Sequence, residues 1–119
     1  MNVEHTDFVS VFTQDIRRAK EFYSGTIGLE LETEGENDLE FRCGQVTLDV
    51  FDPSSIGQQF APSPAGLALR VPDVDAARAE LEAKGVEFDG ETIQTGVCRM
   101  ASFKDPDGNA LLLHRRFDA

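Results

Sequence analysis

The side chains best suited to chemistry in this chain are few and sit in strand-like runs. Asp49 lies in Val46-Thr47-Leu48-Asp49-Val50-Phe51 and His114 lies in Ala110-Leu111-Leu112-Leu113-His114. A carboxylate and an imidazole are the usual carriers of a proton near neutral pH, so these two are the candidates for acid–base work. Arg70 closes the run Leu67-Ala68-Leu69-Arg70 and could anchor an anionic group, as Asp49 could anchor a cation. The other histidine, His5, is read as a polar residue at a strand start, because a lone histidine is weak evidence for a metal site. Cys43 and Cys98 form no CxxC and lie between apolar residues, which reads as two reduced, partly buried thiols.

Period-two alternation sorts the neighbours of these residues. Val9 and Val11, Leu48 and Val50, Leu67 and Leu69, and Leu111 and Leu113 form the apolar sides of four strands. The opposite sides carry Phe8, Ser10 and Phe12, then Thr47, Asp49 and Phe51, then Arg70, then Leu112 and His114. Together these nine residues would line an aromatic surface with a few directed polar groups, suited to a small, partly apolar molecule.

The elements that must position them repeat. Val9-Ser10-Val11 through Asp15-Ile16 parallels Leu67-Ala68-Leu69 through Asp73-Val74, about 58 residues later. Each strand leads into a helix pattern, with Ile16, Ala19, Phe22 and Tyr23 on one stripe of the first and Val74, Ala77 and Leu81 on that of the second. Asp73 is a good N-cap and Gly85 a good stop for the second helix; Thr13 and Asp15 both remain open as the cap of the first. Short strands are expected at Gly28–Leu31 and Gly85–Phe88, then strands over 39–43, 46–51, 97–103 and 110–114. Cys43-Gly44-Gln45 and Asp105-Pro106-Asp107-Gly108-Asn109 read as turns. The run 53–64, with three prolines and no periodicity, is expected to be the link between the two modules, passing over the surface. The fold class is therefore α+β: two βαβββ modules, about 1–52 and about 65–119, within one domain.

Composition narrows the function. With 22 acidic against 11 basic residues the net charge is −11, which argues against nucleic acid and against anionic membrane surfaces. The charge serves solubility first and could also draw in a cationic ligand. No apolar run approaches the length of a membrane span and no signal segment is evident, so the expected location is the cytoplasm.

Several segments carry a family resemblance. Asp15-Ile16-Arg17-Arg18-Ala19-Lys20-Glu21-Phe22-Tyr23 with Ile27-Gly28-Leu29, then Val71-Pro72-Asp73-Val74-Asp75-Ala76, then Asp105-Pro106-Asp107-Gly108-Asn109, resemble in order and spacing the vicinal-oxygen-chelate superfamily. That superfamily holds glyoxalase I, the bleomycin-resistance proteins and the extradiol dioxygenases. The resemblance implies curved sheets enclosing a cleft, helices on the outer faces, and a homodimer. It also implies four positions from which metal-using relatives bind their ion with His or Glu. Here those positions read Phe8, Asp49, Gly66 and Leu112. Three of the four offer no donor atom. No cofactor is expected on this basis; were a divalent metal to bind, its donors would be Asp49 and His114. Two main readings follow. One is a bleomycin-resistance-like protein that binds a small molecule without the family metal. The other is a lyase, isomerase or dioxygenase using Asp49 and His114. An interaction module with a filled cleft is a third.

Overall fold

The computed structural model describes residues 1–118. The chain divides into two compact units, one ending at Pro62 and the next beginning at Ser63. The division falls inside the stretch expected to be a link.

In the first unit β1 (Phe8–Phe12) leads to α1 (Ile16–Lys20), followed by β2 (Glu30–Glu34), β3 (Asp38–Cys43) and β4 (Val46–Phe51). The sheet order is β1-β4-β3-β2, with β1 parallel to β4 and the other pairs antiparallel. The second unit repeats the plan with β5 (Leu67–Arg70), α2 (Val74–Ala83), β6 (Ile93–Gln94), β7 (Cys98–Lys104) and β8 (Ala110–Arg116), in the order β5-β8-β7-β6. Two four-stranded mixed sheets of identical topology are the structural form of the repeat seen in the sequence.

Each helix packs on one face of its own sheet, α1 on β3 and β4, α2 on β7 and β8. The core lies beneath it. Leu39, Phe41, Leu48 and Val50 are fully buried under α1, with Ala19, Phe22 and Tyr23 above them. Leu69, Ala101, Phe103, Leu111 and Leu113 pair in the same way with Val74 and Leu81. The alternation read from the sequence holds strand by strand: the alternate residues all lie on the face that carries no helix.

The open question of the first cap is settled for Asp15, which accepts from Arg18 N at 3.0 Å, while Thr13 is buried and bonds back to Asp15. Asp73 caps α2 through Ala76 N as expected. Gly44 and Gly85 adopt the left-handed backbone their turns require, with φ of +64° and +92°.

Two expectations need correction. The first helix leaves α geometry at Glu21 and runs as a wider π-helical stretch over Glu21–Ile27. The wider turn lets the consecutive rings of Phe22 and Tyr23 both enter the core, edge to face at 5.1 Å. The segment Gly85–Phe88 forms a single bridge from Phe88 to Phe103 rather than a strand, and the fourth strand of that sheet is β6, five residues later. Arg78 explains the shift: it stacks over the Phe88 ring at 4.7 Å and bonds Gly90 O and Thr92 Oγ1, drawing this loop onto α2. The link carries one short element. Pro53–Ile56 forms a 3₁₀ turn capped by Asp52, with Pro53 buried. No helix among the described residues is long and apolar enough to cross a membrane.

Candidate functional site

The helix-free face of the first sheet is built from three strands in register. Phe8 pairs with Thr47 and Thr47 with Arg42; Ser10 pairs with Asp49 and Asp49 with Glu40; Phe12 pairs with Phe51 and Phe51 with Asp38. Direct partners across a sheet share a face, so the row of Ser10, Asp49 and Glu40 lies between Phe8 on one side and the Phe12–Phe51 pair with Asp38 on the other. The rings of Phe12 and Phe51 are 6.3 Å apart, and Phe8 is 58% exposed, an uncommon state for a ring this size.

At the centre, Ser10 Oγ donates to Asp49 Oδ2 at 2.9 Å. Asp38, Glu40 and Asp49 can each bring an oxygen within 4.8 Å of the others. Partial burial, more than anything else, lifts the Asp49 carboxyl above the ordinary aspartate range; the neighbouring Asp38 and Glu40 lift it further, against the opposing Ser10 hydrogen bond. Arg42 shares this face but is committed to the edge strand, with Glu32 at 2.8 Å and Glu30 at 3.8 Å. Asp38 and Glu40 were missed from the sequence. The alternation of β3 carried half the signal, since buried Leu39 and Phe41 force Asp38 and Glu40 to the opposite side.

The second sheet presents a different surface. Arg70, His114 and Met100 form one row, and Ala68, Leu112 and Ser102 the next. His114 and Leu112 are partly exposed, Arg70 and Ala68 exposed. Of the nine candidate residues, Phe8, Ser10, Phe12, Thr47, Asp49 and Phe51 thus share one face of the first sheet. Arg70, Leu112 and His114 share the corresponding face of the second.

Other reactive groups stand apart from these faces. Cys98 is buried and meets Thr95 Oγ1 at 3.3 Å; burial pushes the half-buried Cys43 thiol up, away from thiolate reactivity. His5 pairs with Asp7 at 2.8 Å with both side chains largely exposed. A hollow of about 220 Å³ lined by Gln14, Asp52, Pro53, Ser54 and Phe60 lies at the 3₁₀ turn, away from Asp49. It is smaller than most ligand pockets, and Asp52 Oδ1 is already occupied by Ser54 N and Oγ.

The residues at the four metal positions do not fit a transition ion. Phe8, Gly66 and Leu112 have no donor. Asp49 has only further carboxylates and a hydroxyl around it, an all-oxygen set of the kind hard cations take.

Residues 4–113 match the Glyoxalase/Bleomycin resistance protein/Dioxygenase superfamily. The chain belongs to that superfamily. Its fold is the superfamily's, as the solved structures show. TnmS3, an antibiotic binding protein from Streptomyces sp. CB03234, superposes with a TM-score of 0.80 at 33% identity, covering 98% of both chains. A glyoxalase family protein from Bacillus anthracis superposes at 0.81 with 23% identity, again covering 98% of both, and speaks to the fold alone. In sequence, this superfamily member is 26% identical over 111 residues to YetH of Bacillus subtilis (strain 168), covering 88% of this chain and 92% of that one.

Proposed function

We propose that this superfamily member is a binding protein that holds a small, partly apolar molecule on the helix-free face of its first sheet and releases it unchanged. The observation that carries the reading is the exposed ring of Phe8 and the half-buried pair Phe12 and Phe51, which share a sheet face with Ser10, Asp49, Asp38 and Glu40. Apolar rings gathered on a sheet face that carries no helix offer a surface for a partner molecule, and ring faces with adjoining carboxylates suit an aromatic or cationic group. The likeness to an antibiotic binding protein at 33% identity supports the same reading. A homodimer, the arrangement the resemblance implies, is part of the proposal, and light scattering of the eluting protein reads it.

The test is a thermal-shift screen of aromatic amines and their neutral analogues, with mass spectrometry of each recovered compound. A binder raises the melting temperature by mass action and comes back intact. Phe8→Ala should abolish the shift while moving the melting temperature of the free protein by under about 3 °C, because an exposed substitution changes stability by roughly 0.5 kcal/mol or less. Conversion of a binder to product defeats the proposal.

A second reading, a lyase or isomerase moving a proton through Asp49, draws on one observation: the Asp49 carboxyl is held above its ordinary range. The same screen separates the two, since only an enzyme returns altered compounds.

A further inference from the structure

We infer that the position from which metal-using relatives bind their ion is closed on the second sheet by a packed pair, Leu112 lying over Gly66, so that the site was rebuilt and not merely stripped of donors. The evidence is steric. Gly66 precedes β5 with φ of +76°, a backbone conformation that side-chain-bearing residues rarely adopt. A Cβ added there would lie 3.3 Å from Leu112 Cδ2, tighter than ordinary van der Waals contact. A histidine or glutamate at 66 therefore meets two obstacles: the backbone disfavours it, and the Leu112 methyl, 3.3 Å from where its Cβ would lie, must give way by a few tenths of an ångström. The converse also holds, since Leu112 can lie there because residue 66 has no side chain. Ala68 and Ser102, the register partners of Leu112, are too small to supply a donor of useful reach in that row.

On the first sheet Phe8 occupies its metal position with a ring, and Asp49, which accepts from Ser10, has among the described residues only the carboxylates of Asp38 and Glu40 near it, with no nitrogen donor. The four positions from which relatives bind their ion therefore cannot assemble a His- and Glu-ligated transition-metal site in this chain, on the ground of their donor set and packing. The inference stands whether or not the protein binds an organic ligand.

Two measurements test it. The purified full chain is dialysed against excess Zn²⁺, Ni²⁺ or Co²⁺, then against metal-free buffer, and analysed for metal and for cobalt ligand-field absorption. The expected result is substoichiometric metal, no such band, and no difference between wild type and Asp49→Ala. One equivalent retained by wild type and lost in Asp49→Ala overturns the inference. The second is a double-mutant cycle in melting temperature with Gly66→Ala and Leu112→Ala, both mild enough to leave the chain folded. Gly66→Ala should lower the melting temperature by several degrees, and less in the Leu112→Ala background, because the clash is then gone. Strictly additive losses overturn the packed-pair argument.

Discussion

Replacing Asp49 by asparagine should stabilise the free protein at neutral pH, because this carboxylate is charged at an energetic cost. The change keeps the shape of the side chain and an oxygen to accept from Ser10 Oγ, which now sits at 2.9 Å. It removes the repulsion of Asp38 and Glu40, whose oxygens can lie within 4.8 Å. At that separation two unit charges repel by about 0.9 kcal/mol at the dielectric of water. Asp49 is only half-buried, so screening trims the sum over both neighbours, and weakening of the charged hydrogen bond to Ser10 offsets part of the rest. A net gain of about 0.5 kcal/mol, or about 2 °C in melting temperature, remains. The pH dependence follows from the direction of the shift. A carboxyl whose pKa is raised on folding contributes stability below its unfolded value, near 3.8, and loses that contribution as pH rises through the folded value. Wild type and Asp49→Asn should therefore converge as the pH falls below about 4 and diverge toward pH 7. Added salt should narrow the gap at pH 7. Calorimetry of both proteins between pH 3.5 and about 8 at low salt reads all of this. A lower melting temperature for Asp49→Asn at pH 7 that does not vary with pH would show a carboxylate held by favourable partners, and the reasoning would fail. Under the binding proposal the same variant weakens capture of a cationic ligand, so stability and function should move in opposite directions, as expected where a site is kept at a cost in stability.

Two further outcomes are expected. Asp105→Ala removes acceptors from Asp107 N (2.9 Å), Asn109 N (2.8 Å) and Asn109 Nδ2 (2.8 Å) in a buried turn. Stranding those donors should cost about 2–4 kcal/mol, read as a fall of about 10 °C in melting temperature. Cys43, pushed up by burial, should alkylate with iodoacetamide at pH 7.5 more slowly than a free thiol does, and unfolding should remove the difference, as followed by mass spectrometry.

Much of the fold was legible because its signals are local. β4 was read to the residue, since Val46 to Phe51 alternates cleanly and is bounded by a Gly-bearing turn. The caps Asp73 and Asp15 were within reach because a short polar side chain before an apolar stripe has few other uses. What escaped depends on partners distant in sequence. The π-helical stretch answers to the packing of Phe22 and Tyr23, and the displacement of the fourth strand to β6 answers to Arg78 holding the loop. The site divides in the same way. Alternation placed Phe8, Ser10, Phe12, Thr47, Asp49 and Phe51 on one face correctly. The pairing of Glu40 with Asp49 is a matter of register between strands, and no pattern within either strand states it.

The central claim, that the helix-free face of the first sheet binds a small molecule without altering it, is most directly tested by amide chemical-shift mapping during titration with aromatic amines and their neutral isosteres. The account predicts saturable shifts over residues 8–12, 38–42 and 46–51, tighter binding by the amines, and compounds recovered intact. Shifts confined to Ile16–Lys20 and Val74–Ala83, or compounds recovered as products, would contradict it.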